Sequence, residues 1–264
     1  MSNSTDSWSR FDRRERLLRF FGLLAGLVIL VAAWRAMEVN YGYAVTAPRE
    51  LADLFGRMYP PNVGYSRKIV GPLLETINIS ILGTALAIVM AIPVAFLGAS
   101  NTTPNKPAYL LGKFIISFTR SVNVIIWALI FVVIFGPGAL AGVLAISIRS
   151  IGFTAKLIAE AIEEIDRGSV EAVTAAGASP VDVLIYSIVP QIKPAFISVA
   201  TLRWDINVRA STIIGFVGAG GIGVPLQTEI NYFNWEAVLT ILISILGLVL
   251  ISEGISAYLR KKVM

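Results

Sequence analysis

Four polar side chains occur within eight residues of an otherwise apolar stretch, in the segment LRWDINVR. Arg203, Asp205 and Arg209 are ionisable, and a charged group inside a membrane span is costly and usually faces the protein interior or water. Asp205 and Arg209 are four residues apart and can pair on one face of a helix, while Arg203 and Asn207 form a second such row. The spacing therefore predicts a polar helix face at membrane depth.

Two interpretations of these charges stay open. In the structural one the charges hold helices together or lie at the cytoplasmic mouth, and this is favoured for the pair of Asp205 and Arg209. In the functional one they line the route of an oxyanion, because a guanidinium group is a fork-shaped partner for such an anion. Both remain open for Arg203, while Arg149 lies on the route or near the headgroups, and Arg120 is predicted to reach the cytoplasmic surface. The candidates for the route are Arg203, Asn207, Arg209 and Arg149.

The residue types exclude several kinds of active site. The chain has no Cys and no His, so it offers no disulfide framework, no thiolate or imidazole metal ligand, and no Ser-His or Cys-His pair. It has no G-x-x-x-x-G-K-[ST] motif for binding ATP. A membrane-bound enzyme would have to use carboxylates, which here lie chiefly in loops. These features favour a protein that is not an enzyme and holds no cofactor or metal of its own.

The glycine-rich segment GAGGIG follows the polar stretch. It spells G-x-G-x-x-G, but a dinucleotide site requires a preceding strand, a following helix and an acid about 20 residues later. Here an apolar span precedes the glycines, Pro225 follows closely, and Thr240 stands near the acid position. We interpret the segment as a bend at the outer end of a span, allowing close helix approach or gating. Its candidate residues are Gly218, Gly220, Gly221 and Gly223.

The elements that position these residues are membrane spans. Of the 264 residues 56% are hydrophobic and 15% charged, and the mean hydropathy is +0.74, which is too apolar for a water-soluble domain of this length. The net charge of +5 is gathered in short clusters at the ends of apolar runs. That pattern is typical of membrane topology rather than of a nucleic-acid surface.

Runs of about 20 apolar residues predict an all-α membrane protein with six spans. Residues 1–16 form a cytoplasmic segment, 17–37 an additional N-terminal anchor, 38–70 an extracytoplasmic segment, 71–258 the core and 259–264 a cytoplasmic tail. The core spans are predicted near residues 76–105, 114–135, 139–158, 194–216 and 236–258.

Charge bias orients the spans. Arg10, Arg13 and three further arginines precede the first span, so both termini are predicted to be cytoplasmic. The basic residues of segment 38–70 oppose this orientation, but the inverted one would place both terminal basic clusters outside. There is no obvious internal repeat to support an inverted-repeat secondary transporter.

The segment 159–193, which contains EAVTAAGASPVDVLIYSIVP, has capping and helix-ending residues that predict two short helices. Ser169 is predicted to cap the first helix, with Glu171 in its first turn, and Gly177 to close it in the left-handed conformation. Ser179 is predicted to cap a second helix that Pro190 ends or follows. An elbow of this kind exposes apolar residues unless a partner docks there. The alternative is an ordinary loop packed under its own helices.

This segment resembles the cytoplasmic EAA loop of permease subunits in bacterial ATP-binding-cassette importers. Glu171, Ala172, Gly177 and Pro190 match the pattern, while Val173, Ser187 and Val189 depart from it. The resemblance implies the type I importer permease fold, in which this elbow, with Ser179, contacts a separate ATPase subunit through coupling helices.

TRSVN at 119–123 and LRWDINVRASTIIGFVGAGGIG at 202–223 more narrowly resemble permeases of phosphonate and phosphite importers. The resemblance implies a homodimer in the inner membrane with two ATPase subunits that bind ATP and magnesium. It also implies an extracytoplasmic protein that binds phosphonate or phosphite. A methionine-type importer permease is the main alternative, and a channel or secondary transporter without an ATPase is another.

Overall fold

The structure is a computed structural model that describes residues 13–263, without the side chain of Val263. Residues 1–12, which include Arg10, and Met264 lie outside the described residues. Within the described range every regular element is a helix. The α-helices are α1 Arg13–Ala36, α2 Gly42–Met58, α3 Ser66–Gly98, α4 Lys106–Ser121, α5 Val124–Phe135, α6 Ala139–Glu163, α7 Arg167–Ala175, α8 Pro180–Val183, α9 Val189–Ile214, α10 Gly223–Asn231 and α11 Trp235–Val263.

The chain divides into two compact units, and the boundary follows Gly56. The first unit holds α1 and most of α2. Helix α1 is apolar along most of its length, as expected of an anchor, and none of its residues is buried. The sequence predicts only a polar segment after this helix, but the structure adds α2, whose Leu51, Leu54, Phe55 and Met58 recur at helical spacing.

In the second unit α3 packs along α6 through small side chains. Ala87, Ala91 and Ala95 of α3 are fully buried. At Gly83 the helices are so close that a Cβ atom would lie 2.7 Å from Cγ2 of Ile146. Small residues that let backbones approach closely are typical of helix packing in membranes, where no hydrophobic effect drives one helix against another.

The connections from α3 to α11 gather at two ends of this unit. At one end Asn101 Nδ2 donates to the carbonyl of Ile162 at 2.6 Å, next to the loop that leads to α7. At the other end Gly138 N donates to the carbonyl of Gly218 at 2.9 Å, and Asn62 N donates to that of Glu236. Successive long helices therefore run between the same two ends, which is the order that a multi-span protein requires.

Five helices among the described residues are long and apolar enough to cross a membrane, and a bent pair makes up to six. The span predicted over 114–135 is not a single straight helix, because α4 and α5 meet at an angle of 88°, as in a broken span or a re-entrant loop. The Asn123 side chain accepts a hydrogen bond from Ile125 N at 3.0 Å and so starts a new helix. The capping residue lies in the short polar stretch 119–123, between two apolar runs that together have the length of one span.

Candidate functional site

The first part of the site is the elbow, residues 167–190. Gly177 has φ +82°, which confirms the predicted left-handed turn after the first helix. The Ser179 side chain accepts from Asp182 N, and Asp182 Oδ2 accepts from Ser179 N at 3.1 Å, so the predicted cap is a complete capping box. Local sequence is sufficient to specify this turn, because both signals act within four residues.

Two predicted details of the elbow are wrong. Asp166, not Ser169, caps α7, and its Oδ1 accepts from Gly168 N at 3.0 Å. Glu171 therefore lies beyond the first turn, and the helix-end argument for an acid there does not apply. Ser169 instead lies inside α7, with its hydroxyl 3.2 Å from that of Ser187. This contact joins the two arms of the elbow.

Pro190 does not end the second helix of the elbow. Leu184–Ile188 form a π turn that links α8 to α9, and Pro190 lies in the first turn of α9. A proline inside a helix lacks an N–H donor and its ring clashes with the carbonyl four residues earlier. One wide turn just before the proline is a recognised way for a helix to accommodate such a site. The helix therefore continues from Pro180 to Val217.

The outer surface of the elbow is exposed and partly apolar. Glu171, Ala172, Gly177, Ser179 and Pro190 are all exposed. Their exposed apolar neighbours are Val181, Ile185, Tyr186 and Val189. A cavity of about 340 Å³ lies beside α7 and is lined by residues that include Asn101, Arg167 and Glu171. The elbow thus offers an exposed apolar surface beside a cavity lined by both apolar and charged residues.

The second part of the site is the polar face of α9. Arg203 is 6% exposed, and its Nε has no hydrogen-bond partner among residues 13–263. Its guanidinium carbon lies 5.2 Å from the centroid of the Phe153 ring on α6, within the range of a cation–π contact. Arg203 is therefore held by an aromatic ring and not by an acid.

Asn207 and Arg203 share a helix row but have different surroundings. Asn207 Nδ2 donates to Thr84 Oγ1 at 2.9 Å, and Ser150 Oγ donates to Asn207 Oδ1 at 3.1 Å. These bonds tie α9 to α3 and α6 and leave the amide well satisfied. These hydrogen bonds give Asn207 a structural role. Its role as a pathway residue stays a prediction.

The predicted pairing of Asp205 and Arg209 is confirmed, with Arg209 Nη2 donating to Asp205 Oδ2. Asp205 is buried and also accepts from Ser252 Oγ of α11 at 3.0 Å. The Arg209 side chain, however, is 49% exposed. The Asp205 carboxylate thus joins α9 to α11, while the guanidinium of Arg209 is half-exposed at the surface of the protein.

Arg149 and Arg120 lie next to each other. Gly152 of α6 is so close to α4 that a Cβ atom there would be 2.9 Å from Arg120 Cγ. Arg149 precedes Gly152 by one turn, and its charge repels those of both Arg120 and Arg203. Arg120 is exposed and lies in the last turn of α4, beside the middle of α6, and its reach to the cytoplasmic surface stays a prediction.

The third part is the glycine bend, residues 215–223. Gly218, Gly220 and Gly221 have φ values of +82°, +80° and +76°, which only glycine adopts readily. Thr76 Oγ1 accepts from Ile222 N at 2.7 Å and donates to the carbonyl of Pro72 at 2.8 Å, which fixes the bend against α3. Most of the bend is buried, so it is a packed segment and not a surface loop.

The fold and these three parts define a class, that of polytopic helical membrane proteins with an intramembrane polar face and a projecting elbow. Residues 74–264 match the family described as the binding-protein-dependent transport system inner membrane component. The chain belongs to this family of transporter permease subunits. Its site contains no group of three or more Asp or Glu residues placed to hold a metal within the described range.

Individual relatives agree with this assignment. The chain is 38% identical to the phosphite transport system permease protein PtxC of Stutzerimonas stutzeri, over 95% of this chain and 94% of that protein. It is 35% identical to the phosphate-import permease protein PhnE of Mycolicibacterium smegmatis, over 88% of this chain and 43% of that protein. The inward-facing MetNI methionine ABC transporter has a similar fold, with a TM-score of 0.66 and 23% identity over 77% of this chain and 99% of that one.

Proposed function

We propose that this chain forms the transmembrane pathway of an importer for phosphite, a phosphonate or a related phosphorus oxyanion. The observation that carries the proposal is the Arg203 guanidinium, which is buried at membrane depth with no acidic partner among the described residues. A buried cation without an anion is strongly disfavoured, and a passing oxyanion supplies the missing charge. Two permeases similar to this chain are named for the transport of phosphite and of phosphate, which are oxyanions of this kind.

The elbow is proposed as the contact for a separate ATPase subunit. Its exposed Ile185, Tyr186 and Val189 form an apolar surface that an ordinary cytoplasmic loop would not leave in water. Glu171, Ala172, Gly177, Ser179 and Pro190 are the proposed coupling residues. The ATPase binds ATP and magnesium, and this chain contributes the docking surface without catalysing hydrolysis.

Two copies of the chain are proposed to form the complete pathway, because a two-fold pore presents two elbows to two ATPase subunits. An extracytoplasmic binding protein for phosphite or a phosphonate delivers the substrate to the glycine bend, where Gly218, Gly220, Gly221 and Gly223 contribute to gating. Both termini and the elbow lie on the cytoplasmic side of the inner membrane, with residues 71–258 as the permease core.

The proposed function is tested by uptake into vesicles that contain the chain with its ATPase and binding protein. Phosphite, methylphosphonate, phosphate and methionine are compared at equal concentration, with and without ATP. ATP-dependent uptake of a phosphorus oxyanion in preference to methionine is expected. Preference for methionine would move the chain to the methionine importers, and uptake without ATP would favour a channel or secondary transporter.

Arg203→Lys is expected to reduce oxyanion uptake by about tenfold while leaving assembly intact. A lysine ammonium cannot reproduce the planar two-donor contact, and one charge-assisted hydrogen bond contributes about 1.5 kcal/mol. Arg209→Ala is the comparison: it leaves Asp205 with only Ser252, so it should lower the amount of assembled protein more than uptake per complex. Equal uptake per complex in wild type and Arg203→Lys would make Arg203 structural.

Single-cysteine labelling is expected to place the elbow and the C-terminal end on one side of the membrane. The chain has no cysteine of its own, so each new cysteine is a unique label. Cysteines at Ser179 and next to Val263 should react only from the cytoplasmic side, and a cysteine at the exposed Val63, beside Asn62, only from outside. The reverse result would place the elbow where no ATPase could reach it.

A further inference from the structure

The pairwise contacts along α6 bring three arginines of three different helices into one row. Phe153 of α6 lies under the Arg203 guanidinium of α9, and Gly152 lies against Arg120 of α4. Arg149 precedes Gly152 by three residues and Phe153 by four, so it lies on the same side of α6 as both of them. Arg149 therefore stands between the other two arginines, and its charge repels both.

None of the three guanidinium groups has a carboxylate partner among residues 13–263. The only intramembrane acid of α9, Asp205, is bonded to Arg209 and Ser252 instead. Arg203 is more than nine-tenths buried and its Nε has no partner within the described range. Arg149 is half-buried and Arg120 is exposed, so the repulsion acts most strongly on Arg203, where no acid among residues 13–263 offsets it and the Phe153 ring is the one contact with a negative face.

The depth of the row separates it from lipid headgroups. Helix α6 has 25 residues and is about 37 Å long, and Arg149 lies about 15 Å from its start. Arg203 is also near the middle of its helix, 14 residues after Val189. A free anion in the pathway reaches this level, whereas a headgroup phosphate lies near the ends of the helices.

We propose that Arg120, Arg149 and Arg203 form one binding site for a tetrahedral oxyanion with two negative charges, at mid-depth of the pathway. Arg120 is thereby added to the residues that select the substrate. Three guanidinium groups on separate helices can each donate to a different oxygen of a phosphate-like anion. A zwitterion such as an amino acid cannot satisfy this row, since its ammonium group adds a further like charge. This inference rests on the proposed function.

The first test measures the repulsion itself, without any anion. The transporter is purified with its ATPase subunit in detergent and its Tm is recorded in a chloride-free, nucleotide-free buffer. Arg149→Gln removes both repulsions, so its Tm should exceed that of Arg149→Lys, which keeps the charge. An equal or lower Tm for Arg149→Gln would overturn the three-arginine site.

The second test adds inorganic phosphate or phosphite at constant ionic strength. The wild-type Tm should rise by about 5 °C at saturating anion, because the anion binds the folded protein only. The rise should be at least halved in Arg120→Gln and in Arg149→Gln. Lys156→Gln is the matched control, because it removes a positive charge from the same helix at a residue that already pairs with Glu160 at 3.4 Å; it should keep the full rise.

An equal rise in wild type and in both arginine variants would assign the anion to another site, such as the ATPase, and would overturn the inference. Uptake separates this failure from that of the proposed function. If Arg149→Gln and Arg120→Gln carry phosphite at the wild-type rate, the pathway is an oxyanion pathway without this site. If wild type carries only methionine, the proposed function itself fails.

Discussion

Gly223→Ala is expected to abolish assembly of the permease. A Cβ atom at this position would lie 2.2 Å from the carbonyl oxygen of Thr212 and 2.8 Å from Cα of Gly215. Both neighbours are backbone atoms, so no side-chain rotation can relieve the contact, and α10 must move away from the end of α9. Overpacking of this kind costs about 3 kcal/mol, enough to remove most of the folded population of a marginally stable protein. The measurement is the yield of monodisperse protein from membranes and its Tm.

Gly247→Ala is the matched control for this prediction. Gly247 lies within α11 and a Cβ atom there meets nothing within 4 Å. An alanine is a better helix former than glycine by about 1 kcal/mol, so this variant should assemble at least as well as wild type. If Gly223→Ala and Gly247→Ala give equal yields and equal Tm values, the glycine bend is not tightly packed in the membrane.

Gly177→Val is expected to reduce ATP-driven uptake to background while the protein still inserts and remains folded. Gly177 has φ +82°, and a β-branched residue in the left-handed region costs about 1–2 kcal/mol. The added side chain meets nothing within 4 Å, so the effect is conformational and not a clash. The turn between α7 and α8 must open, and the exposed residues of the two arms no longer form one docking surface. The measurements are co-purification of the ATPase subunit and uptake per inserted chain.

Gly177→Asn separates conformation from side-chain size, because asparagine tolerates the left-handed region much better than valine does. It should retain most of the uptake that Gly177→Val loses. Glu171→Lys tests the surface itself: the exposed carboxylate borders the cavity beside α7, so charge reversal should weaken ATPase binding without changing the turn. Normal uptake by both Gly177→Val and Glu171→Lys would refute the coupling role of the elbow.

Features that depend on a few adjacent residues are the ones that the sequence predicts well. The left-handed Gly177 and the cap at Ser179 are local, and the pairing of Asp205 with Arg209 needs only one helical turn. The cap of α7 is ambiguous at this level, because Asp166 and Ser169 are both good capping residues and only packing selects the first.

Features that depend on tertiary packing could not be predicted from the sequence. Arg120, Ser121 and Asn123 interrupt the apolar run at 114–135, but these polar residues do not by themselves predict an angle of 88° between α4 and α5. The neighbourhood of Arg120 and Arg149 depends on Gly152, whose missing side chain admits another helix. No residue type around Leu184–Ile188 predicts a π turn. Pro190 indicates only that the regular helical hydrogen bonding is interrupted nearby.

The unbroken helix from Pro180 to Val217 has a mechanical consequence. Its 38 residues extend about 57 Å, with α8 of the elbow at one end, Arg203 in the middle and the start of the glycine bend at the other. A loop would absorb a displacement of the elbow, but a continuous helix transmits it along its axis as a rigid rod. The π turn and Pro194 both interrupt the regular hydrogen bonding of this helix, and both lie on the elbow side of Arg203. Beyond Pro194, the arginine and the beginning of the bend must translate and rotate together.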